Sequence, residues 1–397
     1  MRLPGSATWV VCLLAMAACS DGEGGTTTVT ASEPRAGIED GPVWATTLPA
    51  AVAATVSGDG SEGARVAWIA PGEVQTAVVD TSTGELTDLV RVNAWVEPIA
   101  HPIERPSIFR TSDGGFEIAF TSFQGDGASV FRTIDGAEPQ LISGEPVPET
   151  NLVHVTSGVD GDPIYSWLEM STLSVGFSEG DAIVENPLVD EHTCDCCNPA
   201  PLLVGSDLVV AYRDFDELDE GIVRDVVAAR SSDGGETFDG VVPIADDHWF
   251  IDGCPFSGPS AVEIDSTLVV AWMDARQAVH PDQQTTTIWV DRSEDGGASF
   301  GTDLAVTGDG VHTWPVMALD DQGDIHLVWE TPGPEGGLSY ARSADAGMSF
   351  SEPVLLVGRT EGDEGPPRSP SVAYHEGMLV VTWTDSAQGH VAGWELG

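Results

Sequence analysis

Short apolar runs ending on an aromatic residue recur along the chain, each bounded by turns rich in Gly, Asp and Ser. They read Arg65-Val66-Ala67-Trp68, Glu117-Ile118-Ala119-Phe120, Ile164-Tyr165-Ser166-Trp167 and Val209-Val210-Ala211-Tyr212. Val269-Val270-Ala271-Trp272, His326-Leu327-Val328-Trp329 and Val380-Val381-Thr382-Trp383 complete the series. Runs this short, flanked by turn formers, predict β-strands, and their nearly continuous apolar character predicts burial. They return roughly every 45 to 60 residues, a period that marks the blades of a β-propeller.

A second pattern sits at a fixed place within these units. Ser231-Ser232-Asp233-Gly234-Gly235-Glu236-Thr237-Phe238 is repeated as Ser293 to Phe300, around Asp295 and Gly297, and as Ser343 to Phe350, around Asp345 and Gly347. The chemistry is local: an Asp side chain accepts turn amides, Gly takes a positive φ, and the aromatic packs beneath the hairpin. These are Asp-boxes, and through them residues 43 to 397 resemble the sialidase-like, BNR-repeat propeller superfamily. The resemblance implies an all-β propeller whose Asp-boxes are structural and lie away from the central site. Sialidases have six blades, whereas seven aromatic-ended strands favour seven here, with six the alternative if one unit is an insertion. Beyond Trp383 there is room for one more strand, His390 to Leu396, so the missing outer strand is expected from Val43 to Leu48. That would close the ring with both ends of the chain in one blade.

The N-terminus has its own pattern. Arg2 precedes an apolar run from Ala7 to Ala18, too short to span a bilayer, and Met16-Ala17-Ala18-Cys19 resembles a lipobox. Residues 1–18 are therefore expected to be a lipoprotein signal peptide and Cys19 the lipidated first residue of the mature chain. An ordinary secretory signal cut elsewhere is the alternative. Residues 19–42, poor in large apolar side chains, read as a flexible acidic tether to a bacterial membrane, at the cell surface or the periplasmic face. Of the 397 residues, 64 are acidic and 15 basic, giving a net charge of -49; every basic residue is Arg. Such a surface repels phosphate backbones and excludes nucleic acid as a partner.

The resemblance raises sialidase activity, which requires three Arg for the substrate carboxylate, a Tyr nucleophile polarised by Glu, and an Asp acid/base. The Arg-Ile-Pro motif expected before the first Asp-box is missing; Arg105-Pro106 and Phe109-Arg110 come nearest. Of the four tyrosines, Tyr165, Tyr212, Tyr340 and Tyr374, the last follows Arg368 on an inner strand and is the best catalytic candidate.

Cys194-Asp195-Cys196-Cys197 opens the fourth unit and Cys254-Pro255 the fifth, so neighbouring blades bring four cysteines to one rim of the channel. Two disulfides suit an oxidising compartment, but adjacent Cys196 and Cys197 make the pairing awkward. A copper(I) or zinc thiolate site, with His192 or His248 as a further ligand, is the alternative. With Tyr212-Arg213-Asp214, Arg224-Asp225 and Gly253-Cys254-Pro255, these phrases look like an uncharacterised exported subgroup of the superfamily. Tyr212, Arg213, Asp214, Arg224, Asp225, Asp274 and Arg276 fall at strand ends on one face, where they predict either a ligand site or an Arg–Asp network between blades. His101, His154, His312, His326 and His375 read as isolated. The functional expectation is a lipoprotein binding a glycan or protein ligand at the channel rim. Sialidase-type hydrolysis and metal or thiol-redox chemistry are the alternatives.

Overall fold

A strand presents alternate side chains to opposite faces, so a run that is apolar at every position must be covered on both. Trp68, Phe120, Trp167, Tyr212, Trp272, Trp329 and Trp383 each fall on the second strand of an antiparallel sheet, and all seven are buried. The computed structural model describes residues 37–397 apart from 59–62, 93–96, 145, 149, 180–181, 220, 246, 277–284, 334–335, 360–364 and 387. Cys19, the signal segment and most of the expected tether lie outside the described residues.

Among the described residues the strands build seven blades and no helix. The first strands of blades 1 to 7 are Ala53–Ser57, Ser107–Arg110, Thr150–Ser157, Ala200–Val204, Ser260–Ile264, Thr313–Leu319 and Arg368–His375. Each touches the first strands of the blades on either side, closing a ring around a central channel. Seven apolar clusters fill the spaces between neighbouring blades, one to each gap. Alternation is visible within one strand: Leu268, Val270 and Trp272 pack towards blade 4, while Val269, Ala271 and Met273 pack towards blade 6.

The ring closes as the sequence predicts. Trp44–Leu48 pairs antiparallel with Gly389–Glu395, Trp44 opposite Gly393 and Leu48 opposite Gly389, and supplies the outer strand of blade 7. A Cβ at Gly393 would overlap the Trp44 indole, so glycine there is a packing requirement. Folding starts earlier than residue 43, however. Ile38 is buried with Trp394 and Leu396 at the end of blade 7, so residue 38 already packs against the propeller.

All three Asp-box turns have the expected internal bonding. The Asp295 carboxylate accepts the Ser293 hydroxyl (2.8 Å) and the Ser299 amide (2.8 Å) and hydroxyl (2.5 Å), and Asp233 and Asp345 repeat the pattern. Gly297 and Gly347, at φ 86° and 82°, lie against Val209 and Val269 of the preceding blade. Phe238, Phe300 and Phe350 pack into the inter-blade clusters. These turns follow the third strands and so stand on the face opposite the one where the inner strands begin.

Candidate functional site

The face where the inner strands begin carries the chemistry. A cavity of about 310 Å³ runs along the channel and takes lining residues from all seven blades. Its entrance is shaped by a repeated irregularity. The inner strands of blades 3, 6 and 7 each shift register near their start, and each carries a non-glycine residue with left-handed backbone: Leu152 (φ 56°), Trp314 (φ 56°) and Ser369 (φ 53°). Such backbone is costly for bulky residues and persists only where neighbours hold it. The preceding blade does so each time. Glu104 accepts the Leu152 amide (3.1 Å), Ser257 Oγ accepts that of Trp314 (3.0 Å), and Glu330 accepts that of Ser369 (3.2 Å).

Three cationic or imidazole side chains occupy this entrance. Arg105 crosses from blade 2 to donate to the Pro370 carbonyl of blade 7, and its guanidinium lies 4.7 Å from the centre of the Trp314 ring of blade 6. Burial pulls Arg105 down to about 10, so it stays charged at neutral pH. Burial and the nearby Arg105 hold His154 down to about 4, and its buried Nδ1 has no hydrogen-bond partner. Arg368 also keeps a buried Nε without a partner. Two carboxylates balance them: burial pushes Glu104 up to about 7 and raises Glu330, the latter against the opposing pull of Arg368 and Arg105. Of this group only Arg368 stands out in the sequence; Arg105-Pro106 merely approaches the Arg-Ile-Pro motif, and His154 reads as isolated.

The cysteines gather beside the same entrance. Cys196 and Cys254 form a disulfide between the loops that lead into blades 4 and 5, with Cα atoms 6.4 Å apart. Cys194 and Cys197 are free, buried thiols, so one of the two expected bridges is present. Ligand atoms of Cys194, Asp195, Cys196 and Cys254 lie within 4.8 Å of one another, a set that could hold copper(I) or zinc only after the disulfide is reduced. His192 and His248 are not in that set.

The residues expected to bind ligand are turned inwards. Arg213 is 1% exposed and donates to the carbonyls of Arg224 (2.6 Å), Ser257 (3.4 Å and 3.3 Å) and Met273 (2.8 Å), tying blade 4 to blade 5. Tyr212 is buried and donates to Asp190 (2.6 Å). Asp225 accepts the amides of His248 (2.9 Å) and Trp249 (3.0 Å), while Asp214 accepts that of Phe215 (2.8 Å). Arg276 pairs with Asp274, Asp247 and Asp303 and lies over the Trp289 ring. Within this group Arg213 joins blades 4 and 5 through backbone carbonyls, Arg276 alone pairs with carboxylates among the described residues, and Arg224 donates to Cys194 Sγ at 2.9 Å.

The catalytic pair of the sialidase reading is split. Arg368 begins the inner strand of blade 7 at the entrance, whereas Tyr374 lies near its other end and donates to Asp321 (2.8 Å). Six residues of strand separate them by roughly 20 Å. Tyr165, Tyr212 and Tyr340 are buried between blades, bonded to Glu117, Asp190 and His326, and none of the four tyrosines lines the channel.

No protein-family model matches the chain, and neither does any curated protein. Solved structures do. An ulvan lyase of a polysaccharide-lyase family, bound to GlcA(1-4)Rha3S, is 12% identical with a TM-score of 0.57, over 90% of this chain and 95% of that one. A fungal alcohol oxidase in complex with copper gives 10%, 0.54, 89% and 76%. The Trypanosoma rangeli sialidase in complex with the inhibitor DANA gives 13%, 0.45, 74% and 55%. The likeness is one of fold.

Proposed function

We propose that this protein is an exported lipoprotein whose propeller binds an acidic glycan at the entrance of its channel. The observation that carries the reading is Arg105, a cation held across the channel against the Trp314 ring and beside His154 and Arg368. Sugar rings stack on aromatic faces, and a guanidinium pairs with carboxylate or sulfate through parallel hydrogen bonds. A fixed Arg–Trp pair therefore offers both halves of an anionic sugar. Arg105 and Arg368 also bring two guanidinium groups to the entrance of a molecule of net charge -49, which otherwise repels such a ligand. The ulvan lyase of similar fold is bound to a repeat that contains glucuronate, which supports this ligand class.

A panel of uronate-bearing, sulfated and neutral oligosaccharides tests the reading by calorimetric titration. Acidic members are expected to bind, with affinity falling at least tenfold in Arg105→Ala and in Trp314→Ala. Binding unchanged in both variants, or confined to neutral glycans or a protein partner, contradicts it. A fluorogenic sialoside should not be turned over above a heat-killed control, as no tyrosine stands in the channel. Membrane attachment rests on Cys19: Cys19→Ser is expected to release the protein into the soluble fraction.

A further inference from the structure

We propose that Cys194, Cys196, Cys197 and Cys254 form an internal thiol–disulfide relay, in which Cys194 opens the bond joining blades 4 and 5 and Cys197 resolves the product. The sulfurs are already in reach of one another. Cys194 Sγ lies 3.5 Å from Cys196 Sγ and 3.1 Å from Cys197 Sγ, and Cys196 and Cys197 are 3.9 Å apart. A tight turn sets this arrangement: the Cys197 amide donates to the Cys194 carbonyl (3.4 Å), and the Cys194 amide is anchored on the Arg213 carbonyl (2.9 Å). A disulfide that served only as a staple would need neither of the two free thiols packed against it.

Arg224 supplies the second observation. It is 7% exposed, donates to Cys194 Sγ at 2.9 Å, stacks on Phe215 at 4.8 Å, and makes no ion pair with a carboxylate among the described residues. Its Nε is buried without a partner. A buried cation is expensive unless an anion faces it, and Cys194, whose Sγ the Arg224 guanidinium contacts, can become one. The guanidinium at Cys194 Sγ favours its thiolate as the nucleophile and leaves Cys197, 3.1 Å away, as the resolving thiol.

The chemistry balances internally. Cys194 thiolate attacks Cys196 Sγ, the Cys194–Cys196 bond forms, and the Cys196–Cys254 bond breaks with its electron pair passing to Cys254. Cys197 then loses its proton and attacks Cys194, forming Cys194–Cys197 and releasing Cys196 as thiolate. Two electrons have moved from the buried pair to Cys196 and Cys254, and protons from solvent return them to thiols. Cys254 is the half-buried member and neighbours exposed Asp252 and Gly253. From there the pair reduces an external disulfide to two thiols and regains its own bond. This activity is independent of glycan binding at the channel.

The test uses the full chain purified from an oxidising compartment, equilibrated in dithiol/disulfide buffers, quenched with acid, alkylated and mapped by mass spectrometry. Wild type is expected to show Cys196–Cys254 and Cys194–Cys197 in proportions that follow the buffer potential. Cys197→Ser is expected to accumulate Cys194–Cys196 with Cys254 alkylated, and Arg224→Gln to slow that rearrangement at least tenfold at pH 7. A single fixed Cys196–Cys254 bond at every oxidising potential, or two bonds that never exchange, overturns the relay. So does a metal ion retained in native mass spectra with all four thiols reduced. If Cys197→Ser does not fold, the wild-type map decides alone.

Discussion

Glu104 shows how much a single side chain at the entrance carries. It is buried, it fixes the left-handed Leu152 by accepting its amide, and burial pushes its carboxyl up to about 7. The folded protein thus keeps a proton that the unfolded chain releases near 4.5. The contribution to stability is complete below that ordinary value and drains away as pH rises towards 7, by up to about 3 kcal/mol. Glu104→Gln keeps an acceptor for Leu152 without the ionisation. Denaturant titrations from pH 4 to 8 should show a shallower decline in this variant and a higher stability at pH 8; an unchanged pH profile contradicts the assignment. Why sequence alone missed this residue and its neighbours is physical. His154 follows the bulge that left-handed Leu152 makes in its own strand, which local preference disfavours, and Arg105 finds its partners, Pro370 and Trp314, only across the ring on blades 7 and 6.

At the scale of strands and turns, legibility follows locality. The aromatic-ended runs are readable because each blade repeats the same burial, and the Asp-boxes because Ser, Asp and Gly satisfy one another within a single turn. The bonds of Arg213 are only half readable, since they cross between blades: Arg213 is on one, and the carbonyls of Ser257 and Met273 are on the next. The Asp-box turns bear on stability in a defined way. Asp345 accepts the Ser343 hydroxyl (2.8 Å) and the Ser349 amide (2.9 Å) and hydroxyl (2.6 Å), and its turn sets Gly347 against Val269 of blade 5. Asp345→Ala is expected to cost about 2 kcal/mol. In hydrogen exchange, loss of protection should concentrate in the turn and along the blade 5–6 interface. Uniform loss over all seven blades would mean that the turn has no such local role.

Across the whole molecule, stability depends on closing the ring. Each blade buries its faces only against neighbours, and Trp44–Leu48 completes the last blade by pairing with Gly389–Glu395. Removal of residues 1–48 exposes that strand as an open edge and uncovers the cluster holding Leu48, Ala51 and Val391. The truncated chain is expected to melt at least 10 °C lower, a shift of about 7 kcal/mol for a domain of this size, and to self-associate in light scattering. A monomer melting at the wild-type temperature would show that closure is dispensable. The closed ring is also what brings Arg105, His154, Trp314 and Arg368, from four blades, to one opening. A crystal structure of the protein with a glucuronate-containing oligosaccharide tests that convergence most directly. The sugar ring should lie on Trp314 with its carboxylate within hydrogen-bond distance of Arg105; a ligand bound at the blade periphery, with the channel entrance empty, would contradict the account.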